Sequence, residues 1–205
     1  IYIATRKKVD DDSQETGEKV AVKCDRYTEL DVERNNMEAI RDFLDQEIFM
    51  ISEKTKKPCD YIPQAFNIYE LKRQVNWRRP DNRVGLLAME LCPGREIFRL
   101  VDDGKLTAEH KLHIIREIAS AVAYIHASDY VHLDIKLENM MYDTDTRRLM
   151  IIDFGMAQPC SNSEGVMPMT EMPRGGHYGT PLYEDPEMFK HKYTDRGAWI
   201  AANGK

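Results

Sequence analysis

Short apolar runs separated by polar turns fill the first ninety positions, and one segment among them has helical spacing. The apolar runs at 1–4 and 20–24 flank a polar stretch at 10–17, which predicts a β-hairpin. The run at 84–91 ends at a Pro-Gly pair and predicts a buried strand. Residues 36–54 predict a helix, because apolar residues recur at spacings of three and four: Ile40, Phe43, Leu44, Ile48 and Ile51.

The second half of the chain contains one strongly periodic segment, residues 107–128. It predicts a helix with Thr107 as its N-cap and with one apolar stripe, formed by Leu112, Ile115, Ile118, Ala119, Val122 and Ile125. Short strands are predicted at 130–132 and 149–152, and a long loop at 158–178.

This order of elements predicts an α+β fold with two unlike lobes. We expect a small antiparallel β-sheet lobe with one helix in residues 1–91 and a larger, mainly helical lobe in residues 92–205.

Composition narrows the class of protein. The chain has 205 residues, of which 42% are hydrophobic and 31% are charged, so a packed core is expected. A net charge of −6 argues against a protein that binds nucleic acid in bulk. No apolar run approaches the roughly 18 residues of a membrane-spanning helix. The chain starts at Ile1 without a signal-peptide pattern, and we expect it to be part of a longer protein.

The four cysteines bear on the cellular compartment. They form no CxxC pair and no cluster with the spacing of zinc ligands: Cys24, Cys59, Cys92 and Cys160. We therefore expect reduced thiols in a reducing compartment, the cytoplasm.

Four short motifs carry chemically useful side chains, and each of them alone is weak evidence for a function. They are Lys23 in Val-Ala-Val-Lys, the segment His132-Leu-Asp134-Ile-Lys136-Leu-Glu-Asn139, Asp153-Phe154-Gly155, and the segment 179–187. A lone strand lysine is usually a solvated charge, and a His-x-Asp pair is more often structural than catalytic. Their order and spacing together carry the interpretation.

Phosphoryl transfer needs such a combination of groups. The transferring group carries dispersed negative charge, which lysine and a divalent metal can offset. Magnesium prefers oxygen ligands, and Asn139 and Asp153 can supply them. Asp134 can aim a hydroxyl nucleophile, and Lys136 can neutralise the moving phosphate.

In combination the motifs resemble the eukaryotic protein kinase catalytic domain, over nearly the whole chain. The resemblance implies ATP and Mg2+ as cofactors and a protein as substrate. Lys136 after the catalytic aspartate, together with Gly-Thr-Pro-x-Tyr-x-x-Pro-Glu at 179–187, resembles serine/threonine kinases. Thr180 would then bridge Asp134 and Lys136. The regulatory partner is not indicated by the sequence.

The resemblance also assigns roles to individual positions. Asp134 and Lys136 would be catalytic, and Asn139 and Asp153 would bind the metal. Lys23 would hold the α- and β-phosphates and pair with a helix glutamate, Glu47 or, less favoured, Glu53. The remaining ATP contacts would be Ile1 and Ala21 above the adenine, Met141 below it, Met89 at the back, Glu90, Leu91 and Cys92 in the hinge, and Glu96 at the ribose. His132 and Phe154 would stack in a spine between the lobes.

The sequence departs from the kinase pattern in several places. The glycine-rich loop is not within these 205 residues, because Ile1 falls about where the strand after that loop begins. Either the loop lies upstream of this sequence or the protein lacks it. Leu133 replaces an arginine that pairs with a phosphorylated activation loop, so control by that phosphorylation is not expected. The His-Leu-Asp loop resembles the myosin light-chain kinase branch of the calmodulin-dependent group, and also the FIKK-type kinases. Ala198 stands where the family has an aspartate. The sequence stops at Lys205, so we expect it to hold only part of the large lobe.

Three functions are compatible with these observations. The first is an ATP-dependent serine/threonine protein kinase. The second is a pseudokinase or inactive fragment that binds nucleotide or a partner as a scaffold, which the missing glycine-rich loop and Ala198 favour. The third, a small-molecule kinase of related fold, is disfavoured by the closing segment 179–187.

Overall fold

The computed structural model describes residues 1–9, 15–48, 60–71, 83–159 and 179–183. Its first part is a four-stranded antiparallel sheet of β1 (Tyr2–Val9), β2 (Glu15–Arg26), β3 (Ala65–Leu71) and β4 (Val84–Glu90), in the order β1-β2-β4-β3. The β1–β2 hairpin and strand β4 confirm the sequence predictions. Strand β3 was not predicted, because it lies at the sheet edge, where all of its side chains are at least partly exposed.

Helix α1 (Tyr27–Ile48) packs against this sheet and begins nine residues earlier than predicted. Its buried side chains are spaced by three and four residues and include two polar ones: Leu30, Glu33, Asn36, Met37 and Ile40. The two polar residues interrupt the apolar period, which is why the hydrophobic pattern placed the helix start too late. Phe43, predicted on the apolar face, is exposed.

Helices α2 (Ile97–Asp102) and α3 (Ala108–Ala127) follow. The hydroxyl of Thr107 accepts a hydrogen bond from the His110 amide at 3.1 Å, as its predicted N-cap role requires.

The predicted apolar stripe of α3 is wrong at three of its six positions. Leu112 and Ile115 are 51% and 65% exposed and Ala119 is exposed as well, whereas Ile114, Ala121 and Ile125 are buried. Two neighbouring apolar stripes run along this helix, and only one of them faces the core of the described residues.

Five short strands complete the described residues. Strands β5 (Arg95–Glu96), β7 (Met140–Tyr142) and β8 (Leu149–Ile151) form a three-stranded sheet in the order β5-β7-β8. Strand β6 (Tyr130–Val131) pairs with β9 (Gln158–Pro159). Strands β6 and β8 match the predicted segments. Of the loop predicted at 158–178, the structure describes only the first two residues, and the rest lies outside the described residues.

The architecture is α+β, as predicted, and one buried cluster continues from the four-stranded sheet to α3 and β8. The polar motifs fall at element ends: residues 132–139 join β6 to β7, and Asp153 follows β8. Among the described residues, no helix combines the length and apolar character that crossing a bilayer requires. The division of the chain at residues 91 and 92 stays a prediction.

Candidate active site

Lys23 lies at the junction of three elements. It extends from β2, and its Nζ is 2.8 Å from Glu33 Oε2 on α1 and 2.8 Å from Asp153 Oδ1 after β8. The Glu33 side chain is only 3% exposed. Burial alone would lower the pKa of Lys23, but the Glu33 and Asp153 carboxylates outweigh it and raise that pKa. The lysine is therefore held as a cation next to two carboxylates.

The partner of Lys23 is Glu33, and the predicted Glu47 is wrong. Both glutamates are on α1, but 14 residues separate them, about 21 Å at 1.5 Å per helical residue. One helix position cannot replace the other at the same lysine. The spacing of Glu33 from Leu30 and Met37 could have shown that it lies on the buried face. The alternative Glu53 lies outside the described residues.

Replacing the two glutamates separately tests this pairing. Glu33→Gln is expected to destabilise the chain by about 1–3 kcal/mol, because Lys23 keeps only one carboxylate and a charged hydrogen bond is lost. For a chain of this size the melting temperature should fall by roughly 2–10 °C. Glu47→Gln is the matched control on the same helix and should change it little. An equal or larger loss in Glu47→Gln would contradict the assignment.

Asp134, Lys136 and Thr180 form a closed triangle. Lys136 Nζ donates to Asp134 Oδ2 at 2.6 Å and to Thr180 Oγ1 at 2.8 Å. The Thr180 hydroxyl donates to Asp134 Oδ1 at 2.8 Å, which is the bridge expected from the resemblance. Both carboxylate oxygens of Asp134 are thereby oriented by neighbouring donors.

Asn139 supports the same carboxylate from the buried side. Its Nδ2 donates to Asp134 Oδ2 at 2.8 Å and to the Asp134 carbonyl at 3.0 Å. Burial by itself raises the pKa of Asp134, but the hydrogen bonds from Lys136, Thr180 and Asn139 bring that pKa below its ordinary value. Asp134 is therefore a carboxylate at neutral pH.

His132 and Phe154 pack edge to face, with ring centroids 4.8 Å apart. His132 Nδ1 accepts a hydrogen bond from the Asp134 amide at 3.3 Å. In the neutral ring the proton is then on Nε2, which donates to the Ile152 carbonyl at 3.2 Å. Burial lowers the pKa of His132. A neutral imidazole thus links the backbone of the segment 132–139 to the residue that precedes Asp153.

The lowered pKa of His132 predicts a pH dependence of stability. In the unfolded chain histidine binds a proton near pH 6.5, whereas in the folded chain it does so only at lower pH. The unfolded state then binds more protons, so stability should fall as pH drops below about 6.5. His132→Phe should flatten this slope between pH 7.5 and 5.5, measured as melting temperature.

A core substitution that keeps the imidazole is the control for that experiment. Ile125→Val should lower the melting temperature while retaining the wild-type slope, because it removes no titrating group. If His132→Phe keeps the full slope, other groups cause it.

Ala21 and Met89 lie directly opposite each other on β2 and β4, and both are buried. On the other side of Ala21 the register places Ile3, which the sequence analysis did not single out. Cross-strand partners project from the same face of a sheet, so Ile3 shares the face of Ala21. The predicted Ile1 precedes β1, and the two isoleucines are similarly exposed, Ile1 at 75% and Ile3 at 67%. Only the hairpin register distinguishes the two isoleucines.

Glu90 connects the end of β4 to the residues that immediately precede β3 and β8. Its amide donates to the Gln64 carbonyl at 2.8 Å, and its carboxylate accepts from the Gln64 amide at 3.2 Å and from Arg148 at 2.9 Å. Two residues later, Cys92 is half-buried, and burial together with Glu90 raises the pKa of its thiol to about 12. The segment after β4 is therefore held in place at Glu90, and the Cys92 thiol within it is protonated at neutral pH.

Glu96 and Met141 are cross-strand partners in β5 and β7. The carboxylate of Glu96 lies 3.6 Å from Arg99 Nε, one turn into α2. Both predicted residues thus lie next to each other on the small sheet that follows the segment 91–93.

Asn139 and Asp153 have the donor chemistry that magnesium requires. Both amide hydrogens of Asn139 are directed at Asp134, which leaves its Oδ1 to offer a lone pair. Asp153 binds Lys23 through Oδ1, and its side chain is 44% exposed, so the carboxylate is accessible to an ion. An amide oxygen and a carboxylate fit this metal.

Comparison with known proteins identifies the family. The protein kinase domain model matches residues 9–201. In overall shape the chain is similar to the Cydia pomonella granulovirus kinase PK-1, with a TM-score of 0.59 and 22% identity, over 97% of this chain and 64% of that one. That likeness supports the fold.

Curated relatives share more of the sequence. Calcium-dependent protein kinase 5 of Plasmodium berghei is 31% identical over 88% of this chain, and calcium/calmodulin-dependent protein kinase type 1 of Caenorhabditis elegans is 30% identical over 87%. The chain spans 28% and 44% of the lengths of these two proteins. Both sub-family assignments made from the sequence stay predictions. The chain belongs to the protein kinase family, and its relatives place it on the serine/threonine kinase side of that family.

Proposed function

We propose that this chain belongs to the catalytic domain of an ATP-dependent serine/threonine protein kinase, which transfers the γ-phosphate of Mg-ATP to a protein hydroxyl. The observation that carries the proposal is the position of Lys23 Nζ, 2.8 Å from both Glu33 and Asp153. This arrangement places a fixed cation beside an accessible carboxylate, which is the charge pattern of a metal-phosphate site.

Lys23 would offset the charge of the α- and β-phosphates, since Glu33 holds it in place from the buried side. Asn139 Oδ1 and the Asp153 carboxylate would hold the magnesium ion, which supplies positive charge to the phosphate oxygens when bound. Ala21, Ile3 and Met89 share one face of the sheet and would enclose the adenine.

Asp134 would orient the substrate hydroxyl. Its lowered pKa makes it a weak base, so it would accept the proton late, as the bond to phosphorus forms. Lys136 would neutralise the γ-phosphate as that group moves, because its bonds to Asp134 and Thr180 hold the ammonium group beside the proposed base. Aligning the hydroxyl and compensating charge are the main contributions that such a reaction needs from the protein.

The proposal also covers the cell compartment and the substrate class. We propose a reducing compartment, the cytoplasm, as expected from the cysteine pattern; of the cysteines that the structure describes, Cys24 and Cys92, neither forms a disulfide. The substrate would be a protein with an accessible serine or threonine.

A thermal-shift titration of the chain with ATP, with and without magnesium, tests the nucleotide site. A ligand that binds only the folded form at 100 times its Kd stabilises it by about 2.7 kcal/mol. We expect a magnesium-dependent rise in melting temperature that Asp153→Ala abolishes. Asp102→Ala, at an exposed position at the end of α2, is the control and should keep the rise.

A second measurement separates catalysis from binding alone. Transfer of labelled γ-phosphate to serine and threonine peptides is expected where the magnesium-dependent shift is present. A shift without transfer would favour the pseudokinase alternative. Absence of any shift from a cooperatively melting chain would contradict nucleotide binding.

A further inference from the structure

Asn36 is a buried polar residue on α1, one turn beyond Glu33, and the roles above do not use it. Its Nδ2 donates to the Phe154 carbonyl at 3.0 Å and to the Ala157 carbonyl at 2.9 Å. One side-chain amide therefore binds both ends of the short 3-10 turn Phe154–Met156 that follows Asp153.

The position is otherwise suited to an apolar side chain. Leu30, Met37 and Ile40 are buried on the same helix face. A buried amide costs free energy unless it is hydrogen-bonded, and here both donor hydrogens are used. The Phe154 carbonyl also accepts from the Ala157 amide at 3.1 Å, so this carbonyl is bound twice.

The residue before this turn has a strained backbone. Asp153 has φ 68° and ψ 70°, the left-handed region, which residues with a Cβ adopt at a cost. Such a conformation persists only when its surroundings hold it. The Phe154 peptide next to it is held at its carbonyl, which accepts from Asn36, and its N–H faces the Glu33 carboxylate.

We propose that Asn36 is a positioning residue that couples the placement of α1 to the conformation of Asp153. Two side chains of one helix face, Glu33 and Asn36, hold the backbone that presents the Asp153 carboxylate. If α1 shifts, the bonds of Glu33 to Lys23 and of Asn36 to the turn are lost together. The Lys23–Glu33 ion pair and the ligating conformation of Asp153 would therefore form together and be lost together. The link to metal binding rests on the proposed function; the restraint on the turn does not.

Asn36→Leu and Asn35→Leu form a matched pair for the test. Both make the same chemical change at adjacent positions of α1, but Asn35 is exposed and binds only Arg34 among the described residues. Leucine is similar in size to the native side chain. Asn36→Leu removes the side-chain donor from the Ala157 carbonyl and leaves the Phe154 carbonyl with the Ala157 amide as its remaining donor.

The first readout needs no ligand. Backbone hydrogen exchange at residues 154–157 is expected to be about tenfold faster in Asn36→Leu, the effect of losing one to two net hydrogen bonds. Exchange in β4 and in Asn35→Leu should match the wild type. Faster exchange throughout the molecule would indicate general destabilisation and would contradict a local restraint.

The second readout is the magnesium dependence of nucleotide binding. The magnesium concentration for half-maximal stabilisation by ATP should rise about tenfold in Asn36→Leu, since Asp153 would leave its ligating conformation more often. Stabilisation by ATP without magnesium should be unchanged. A purely structural role would lower the melting temperature without moving this concentration.

The outcomes separate the inference from the proposed function. If the wild-type chain shows no magnesium-dependent shift, the proposed function fails, and the exchange experiment still decides whether Asn36 restrains the turn. If Asn36→Leu matches Asn35→Leu in exchange and in magnesium dependence, the inference is overturned. Should Asn36→Leu not fold, Asn36→Ser replaces it, with a shorter side chain, one donor and a smaller expected effect in the same direction.

Discussion

Asp134→Asn is expected to slow phosphotransfer by about 10²–10⁴-fold, the usual contribution of a positioned acid–base group. The carboxylate is held at both oxygens, by Lys136 and Asn139 at Oδ2 and by Thr180 at Oδ1. An amide in its place offers one acceptor oxygen, carries no charge and presents hydrogens towards donors. The substrate hydroxyl would lose its alignment and Lys136 would lose its counter-ion.

Nucleotide binding should survive this substitution. Lys23, Glu33 and Asp153 form a separate cluster, and Asn139 keeps its bond to the backbone carbonyl of residue 134. The apparent ATP affinity derived from the magnesium-dependent thermal shift is therefore expected to stay within about twofold of the wild type. Asp102→Asn, on the exposed end of α2, is the matched control and should transfer phosphate at the wild-type rate. A rate for Asp134→Asn within tenfold of wild type would remove Asp134 from the catalytic role.

Gly94→Ala is expected to be the most destabilising of the single substitutions considered, at about 2–4 kcal/mol, through strain and a backbone clash. Gly94 has φ +79°, and a Cβ there would lie 2.1 Å from the Tyr142 carbonyl oxygen and 2.5 Å from the Asp143 amide nitrogen. These are backbone atoms of β7 and the turn after it, so the pairing of β5 with β7 would have to shift.

Gly104→Ala is the control that separates strain from contact. Gly104 has φ +65°, but nothing lies within 4 Å of its Cβ position among the described residues, so it should lose only about 1–2 kcal/mol for the left-handed conformation. Urea unfolding of both variants measures the difference. Equal losses would mean that β5 and β7 can separate at Gly94 without cost.

The candidate site could be predicted from the sequence where its residues are close in the chain. Asp134, Lys136 and Asn139 lie within six positions, so one loop brings them together. The Asp153 motif directly follows an apolar strand, and strand ends are where polar side chains reach a site. Thr180 is distant in sequence, and its place was predicted only because the whole motif resembles a known family.

By itself, the sequence determined the features that depend on local interactions. These features are the β1–β2 hairpin, which a turn specifies, helix α3, which the Thr107 cap starts, and the set of side chains at 134–139, which one short loop brings together. Only the tertiary structure decided which distant residues meet. Lys23 pairs with Glu33 and not with Glu47, and Asn36 binds the turn after Asp153, because the rotation and the start of α1 depend on packing against the sheet. Burial of two polar side chains on an apolar face is stabilising only once their partners are in place, and no local pattern in the chain encodes those partners.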